Sequence, residues 1–544
     1  MRGLNPTFRL GLLVVMLAAQ VGCGKRESLV DRGDREGVLH VGNGAEIQSL
    51  DPHLAGGAVD HNVLSALFEG LVTLDESTLQ PRPGAAERWE ISSDGRTYRF
   101  YLHPDGKWSN GDPLTASDFV FSFRRALSPG LGSEYKDALF PVVNAEAFAR
   151  GAIVDFSLVG VRATDSRTLE ITLDRPTPYF LSVLRTNVCF PVHAASVERN
   201  GRNYDDRSGK WIREAPLVGN GPFQLREWKD HQHVRVEKNP NYWDAERVRL
   251  DAVVFYPAES TSVQEMAFRA GQLHTTWDVP LSKLDTYRQE SPALLHVEPY
   301  FESYFLRFNT QHPVLSDPRL RRALSLAIDR ELIVRTLLKG GQSPAWSLTP
   351  PGLGGYSPPR APLRDLGAAK RLLAEAGYPE GQNFPKLVLT TLSSEINQRI
   401  AEAIQQMWRK DLGIEIAIEQ KEFKVLLDSF DTLDYALARG RWIAEFPDPL
   451  TYLLIFTTGN GVNGTGFTDA TYDQLIAEAS TRDTPEGRLH VLQRAEERLL
   501  EQMPMAPIYW GSRTTLVATS VRGWKNSPLG FRNYKDVWLE SIGR

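Results

Sequence analysis

Hydrophobic and polar positions recur along this chain in short stretches whose period changes from one element to the next. Residues 38–41 form a brief apolar run that predicts a strand. Residues 96–102 alternate with the two-residue period of another, and the turn sequence His103-Pro104-Asp105-Gly106 follows. Asp317-Pro318 supplies an N-cap and a first-turn proline, after which Leu320, Leu324, Ala327 and Ile328 return at helical spacing. Residues 395–412 make a second amphipathic helix closed by Gly413, and residues 414–418 alternate as a strand directly after it. Residues 486–502 predict a helix, and strands are expected at 506–510 and 514–518. The first part is sheet-rich, and the later helix-to-strand succession marks an α/β architecture. There is no repeat, low-complexity segment or flexible interdomain linker.

One apolar run stands apart from this pattern. Residues 10–19 follow the basic Arg2 and Arg9 and are too few to span a bilayer, but suit a signal peptide, so the chain is expected to be exported. The run ends Gln20-Val21-Gly22-Cys23, which resembles a bacterial lipobox despite Gln20 standing where an aliphatic residue is usual. Cys23 is the expected lipidation site, with residues 1–22 removed and 23–37 a charged, Gly-containing tether. Cleavage by an ordinary signal peptidase, with Cys23 incidental, is the alternative.

Length and composition narrow the class. A chain of 544 residues exceeds what one core supports, so two or three domains are expected. A net charge of −5 speaks against a nucleic-acid partner, and two cysteines, Cys23 and Cys189, exclude a disulfide framework. The search for catalytic chemistry returns little. Gly459 to Gly464 fits G-x-G-x-x-G without the strand-to-helix context that phosphate binding needs, and is expected to be a turn. His231 and His233 alternate as strand residues would, with no carboxylate or cysteine cluster beside them to complete a metal site. Cys189 lies in an apolar setting and is expected to be buried and unreactive. No nucleophile elbow, Walker loop or zinc-protease motif occurs, so neither a metal nor a cofactor is expected.

Several ordered motifs carry a resemblance. Glu46-Ile47-Gln48-Ser49-Leu50-Asp51-Pro52-His53, Leu67-Phe68-Glu69-Gly70-Leu71, the run from Lys107 to Val120, Asn239-Pro240-Asn241-Tyr242-Trp243 and the run from Arg321 to Arg330 together resemble the bacterial extracellular solute-binding protein family 5. That family includes oligopeptide- and dipeptide-binding proteins of ABC importers. The resemblance implies an α/β, periplasmic-binding-protein-like fold of class II, with two lobes and three domains. Domain I would be discontinuous, from residues 38–70, 216–301 and 509–544; domain II would take 71–215 and domain III 302–508. It further implies a non-enzymatic, monomeric protein that captures short peptides outside the cytoplasmic membrane, in the periplasm or on the membrane's outer face. The peptides would pass to a permease and ATPase complex. Capture of a non-peptide solute such as a nickel chelate, heme or sugar is the alternative.

A receptor for many peptides should hold what all peptides share, the α-ammonium, the backbone and the carboxylate. Glu445 falls where the family carries an acidic residue for the α-ammonium, or else is an exposed loop carboxylate, and it is the feature that separates peptide from non-peptide ligands. Arg439 matches an arginine that meets the peptide carboxylate, or else forms an internal salt bridge. Trp442, Trp277, Tyr300 and Phe305 match aromatic lining positions, and Ala58, with Gly56 and Gly57, matches a segment that offers backbone groups for strand-like pairing. A cysteine pair found in some relatives is replaced here by Glu302 and Ile443.

Overall fold

The computed structural model describes residues 27–200, 203–213, 216–482 and 484–540. Cys23 and the rest of the signal segment lie outside the described residues.

Leu29–Glu36, within the segment expected to be a tether, is a helix capped by Ser28, whose hydroxyl accepts from the Asp31 N–H. Gly33 packs it down: a Cβ there would lie 2.3 Å from the Val38 carbonyl. The strand Val38–Gly42 follows and pairs in parallel with Ala252–Tyr256. His233–Lys238 and Phe223–Lys229 complete that four-stranded sheet in antiparallel fashion. Against it lies the helix Ala58–Leu67, whose Val63, Leu64 and Leu67 enter the core.

The expected strand at 96–102 is Thr97–Leu102, and Gly106 N–H donates to the His103 carbonyl to close its turn. It is the second strand of another four-stranded antiparallel sheet, covered by the helix Ala116–Ala126 with Phe119 and Phe123 buried. Arg125 of this helix is wholly buried and grips Asp51, at 2.9 Å from Nη1 to Oδ1, while the same Nη1 donates to His53 Nδ1 at 3.0 Å. Burial and the Arg125 charge push His53 down to about 4, so it stays neutral and can accept. The Asp51 and His53 of the N-terminal motif thus hold two parts of the chain together.

The third sheet has six strands in the order Ser343–Pro344, Met505–Leu516, Leu295–Phe308, Leu437–Ile443, Leu387–Leu392, Ile416–Lys421. Its core is sealed by Pro318–Leu326, Leu366–Glu375 and Glu395–Leu412, with Trp408 fully buried. Asp317 caps the first of these as expected, and Gly413 closes the last in the left-handed conformation, φ 70°. Two expectations shift. The strand placed at 414–418 begins at Ile416, because Ile414 N–H still donates back to Trp408 and the parallel ladder with Leu387 starts two residues later. The two strands at 506–510 and 514–518 are one strand, Met505–Leu516, running through Gly511 and Ser512 without a turn.

Leu295–Phe308 and Met505–Leu516 run side by side from the six-stranded sheet toward the first sheet, where Thr275 bridges Val41 and Val517. Their register breaks between Pro299 and Ser303. Gly459 and Gly464 lie in a loop with positive φ, as expected of a turn. His231 is an exposed turn residue with φ 59°, so it does not share a strand face with His233, which pairs with Glu227 at 2.7 Å. Cys189 is buried, and burial pushes its thiol up to about 12.

Candidate functional site

The end of strand Leu437–Ile443 and the chain after it project Glu445 toward Tyr135 and Asp137 of a distant segment. Glu445 is exposed, and among the described residues its carboxylate has no cationic or hydrogen-bonding partner; only its backbone N–H is engaged, donating to Thr451 Oγ1 at 3.1 Å. Protein nonetheless surrounds it closely. Desolvation raises its pKa, and the Asp137 charge raises it further. Tyr135 forms the facing side: its hydroxyl donates to the Gly56 carbonyl at 2.9 Å, and a Cβ on Gly56 would lie 2.7 Å from its ring.

Gly57 is extended, at φ −85° and ψ 150°, with its N–H donating to Asp60 Oδ2 at 3.2 Å. Ala58 is exposed but already helical, the first residue of Ala58–Leu67. The strand-like pairing expected at Ala58 is corrected accordingly. Its backbone follows the helix, and only the glycines before it are extended.

Along the strand pair Leu295–Phe308 and Leu437–Ile443, Glu302 is opposite Ile443 and Leu306 is opposite Arg439. Side chains alternate across a strand, so Glu302, Tyr304, Arg439 and Arg441 share one face, while Ser303, Phe305, Arg307 and Trp442 share the other. The two positions that carry cysteines in some relatives are therefore direct cross-strand neighbours; here Glu302 instead binds Arg441, at 2.6 Å. Arg439 is 9% exposed, its guanidinium 5.6 Å from the Tyr304 ring centre, and its Nε has no hydrogen-bond partner. Among the described residues no carboxylate lies within ion-pairing distance of it, so the internal salt bridge weighed as its other role is not formed. Desolvation, the largest influence, lowers its pKa.

The aromatic positions divide. Trp442 is half-buried against the hydrophobic core, with its indole Nε1 buried and unpartnered. Trp277 stands 4.3 Å beneath the Arg513 guanidinium, and Tyr300 packs on Gly530. Both retain partial exposure. Phe305, expected as a lining residue, is 0% exposed, wedged against Gly440 and Phe456. It is a core residue: the absence of a side chain at Gly440 lets its ring sink into the sheet. Tyr135 and Asp137 beside Glu445, and Arg513 over Trp277, are groups near the candidate residues that sequence reasoning missed. Nothing near them in the chain marks them, because each acquires its neighbours through contacts between remote segments.

The layers, the strand pair running between sheets and the enclosed charges define a two-lobed solute-binding protein of the periplasmic-binding-protein type. The chain belongs to the bacterial extracellular solute-binding proteins of family 5, whose middle-region model matches residues 80–464. It is 34% identical over 505 residues to the periplasmic murein peptide-binding protein MppA of Escherichia coli K12, covering 91% of each chain. The solved structure of that murein tripeptide binding protein gives a TM-score of 0.80 at 33% identity, covering 92% of this chain and 98% of the other. Haemophilus influenzae OppA in complex with RPPGFSPFR gives 0.80 at 29% identity, covering 93% and 99%.

Proposed function

We propose that this protein binds short peptides between its two lobes and delivers them to an ABC importer, working as a lipid-anchored monomer tethered through Cys23 outside the cytoplasmic membrane. In this reading domain I comprises residues 38–70, 216–301 and 509–544, domain II 71–215 and domain III 302–508, with the paired strands Leu295–Phe308 and Met505–Leu516 crossing between lobes. The observation that carries it is Glu445, a carboxylate whose charge is disfavoured by desolvation and by Asp137 and which has, among the described residues, no cation of the protein's own. Such a site is short of one positive charge, which an α-ammonium supplies.

Arg439 offers the complementary cation. It is six positions from Glu445, at most about 20 Å of extended chain, a span that suits peptides up to about five residues long. Trp442, Trp277 and Tyr300 would wall the side-chain pockets, and the backbone at Gly56 and Gly57 would meet the ligand backbone. Relatives named for murein peptide and oligopeptide binding support the same ligand class.

The test is calorimetric titration and thermal shift on protein refolded free of ligand, with tri- to pentapeptides bearing free or acetylated N-termini. A ligand at 100 times its Kd should stabilise the fold by about 2.7 kcal/mol. Binding confined to free-amine peptides supports the reading. Equal response to both pools removes Glu445 from its role, and response to neither removes peptides as the ligand.

A further inference from the structure

A cavity of about 30 Å³ lies between the helix Ala58–Leu67, the segment around Arg185 and the C-terminal residues 531–535. Arg185 provides its charge. The guanidinium rests 4.2 Å over the Phe531 ring, and Nη1 donates to His61 Nε2 at 2.7 Å. That bond fixes the imidazole: Nε2 accepts, so Nδ1 carries the proton and donates it to Asn187 Oδ1. Burial and the Arg185 charge together push His61 down to about 3, so the ring stays neutral and contributes no competing charge. Arg185 Nε is buried without a hydrogen-bond partner, and among the described residues no carboxylate lies within 4 Å of the guanidinium. Glu69 and Lys535, which also line the cavity, are paired with each other at 3.2 Å. The space therefore has one uncompensated positive charge, held in a fixed orientation by a neutral acceptor and an aromatic face.

An enclosed cation without a counter-charge is costly, and a guanidinium fork fits a carboxylate. A volume of about 30 Å³ accommodates two or so water-sized groups, the size of one carboxylate. Several of its lining residues reach solvent. His61 and Arg185 keep partial exposure, and His61 is three residues, about 4.5 Å of helix, beyond Ala58, whose neighbour Gly56 packs against Tyr135 on the side of Glu445. We propose that this cavity is a site for a single carboxylate, taken from an acidic side chain of the bound peptide or, failing that, from a small free anion. The first source rests on the peptide reading above; the second does not.

The experiment compares tripeptides carrying Glu or Gln at each position in turn, titrated into the full protein in chloride-free buffer. Acetate is compared with acetamide by thermal shift in parallel. At one position Glu is expected to bind at least about tenfold tighter than Gln. Arg185→Met should abolish that preference while leaving the Gln peptides within about threefold of their original affinity, and Arg185→Lys, lacking the planar fork, should retain a reduced preference. Stabilisation by acetate but not acetamide, lost in Arg185→Met, without any Glu preference, assigns the site to a free anion. If Arg185→Met does not fold, the comparisons on the unaltered protein and Arg185→Lys decide. Peptides that bind with no Glu preference, together with equal responses to acetate and acetamide, overturn the inference and leave peptide capture intact. Failure of every peptide to bind removes the peptide reading, and the acetate arm then decides the inference alone.

Discussion

Glu445 is placed where its own charge is disfavoured, and this sets a pH signature. Its folded pKa is raised by desolvation and by Asp137, so its contribution to folding is most favourable at low pH and is lost as pH rises through the folded value. In the proposed role peptide binding has the opposite slope, because an α-ammonium paired with Glu445 needs the ionised form; affinity should be full above the raised pKa and fall as pH drops through it. Glu445→Gln should cost about one to two decades in affinity for free-amine peptides, the worth of a charge-assisted hydrogen bond of roughly 1.5–3 kcal/mol. The same variant should flatten the pH dependence of binding in the mildly acidic range. Titrations of both proteins across that range check it, and parallel pH profiles for the two would remove Glu445 from the site. Glu445 was a candidate from the sequence because it falls where the family resemblance places an acidic residue, between Trp442 and Asp448. Its neighbours Tyr135 and Asp137 were not, since they are some 300 residues away and follow no local period.

At the scale of elements, local rules placed what local chemistry determines. Asp317 and Gly413 mark helix ends through capping, and both were visible as residue types in position. Strand ends were less visible. Ile416 rather than Ile414 starts its ladder because the partner strand Leu387–Leu392 fixes the register, and Gly511 does not break Met505–Leu516 because Leu295–Phe308 pairs on both sides of it. Phe305 was misplaced for a related reason: a match to the family's aromatic positions gives a residue type in order, but only the sheet's packing, here against Gly440 and Phe456, decides whether the ring meets solvent or the core. The link between the N-terminal motif and the helix Ala116–Ala126 gives a prediction at this scale. Arg125→Leu leaves Asp51 buried without its cation and should destabilise the fold by about 3–5 kcal/mol, read from the midpoint of urea unfolding at neutral pH. A change below 1 kcal/mol would mean that the pair is dispensable to the joining of these segments.

For the whole molecule, the question is what holds the lobes together before a ligand arrives. Tyr179, in the proposed domain II, stacks on Phe446, in the proposed domain III, with ring centres 4.4 Å apart and planes 8° from parallel. The hydrophobic core is continuous across the same boundary, so the lobes are in contact. A ligand closes such a protein only to the extent that it binds the closed form better, and any contact present without ligand shifts the starting balance. An aromatic pair contributes about 0.5–1.5 kcal/mol beyond its buried area, a factor of about 2–12 in the open-to-closed ratio. Phe446→Leu keeps most of the apolar burial and removes the stack. It should therefore enlarge the ligand-free radius of gyration in X-ray scattering, weaken peptide binding by up to about tenfold, and scatter like the unaltered protein once saturated with peptide. Unchanged scattering and affinity would show that closure is set by the strands crossing near Pro299 and Ser303, where the register already breaks, and that the aromatic stack follows that motion without biasing it.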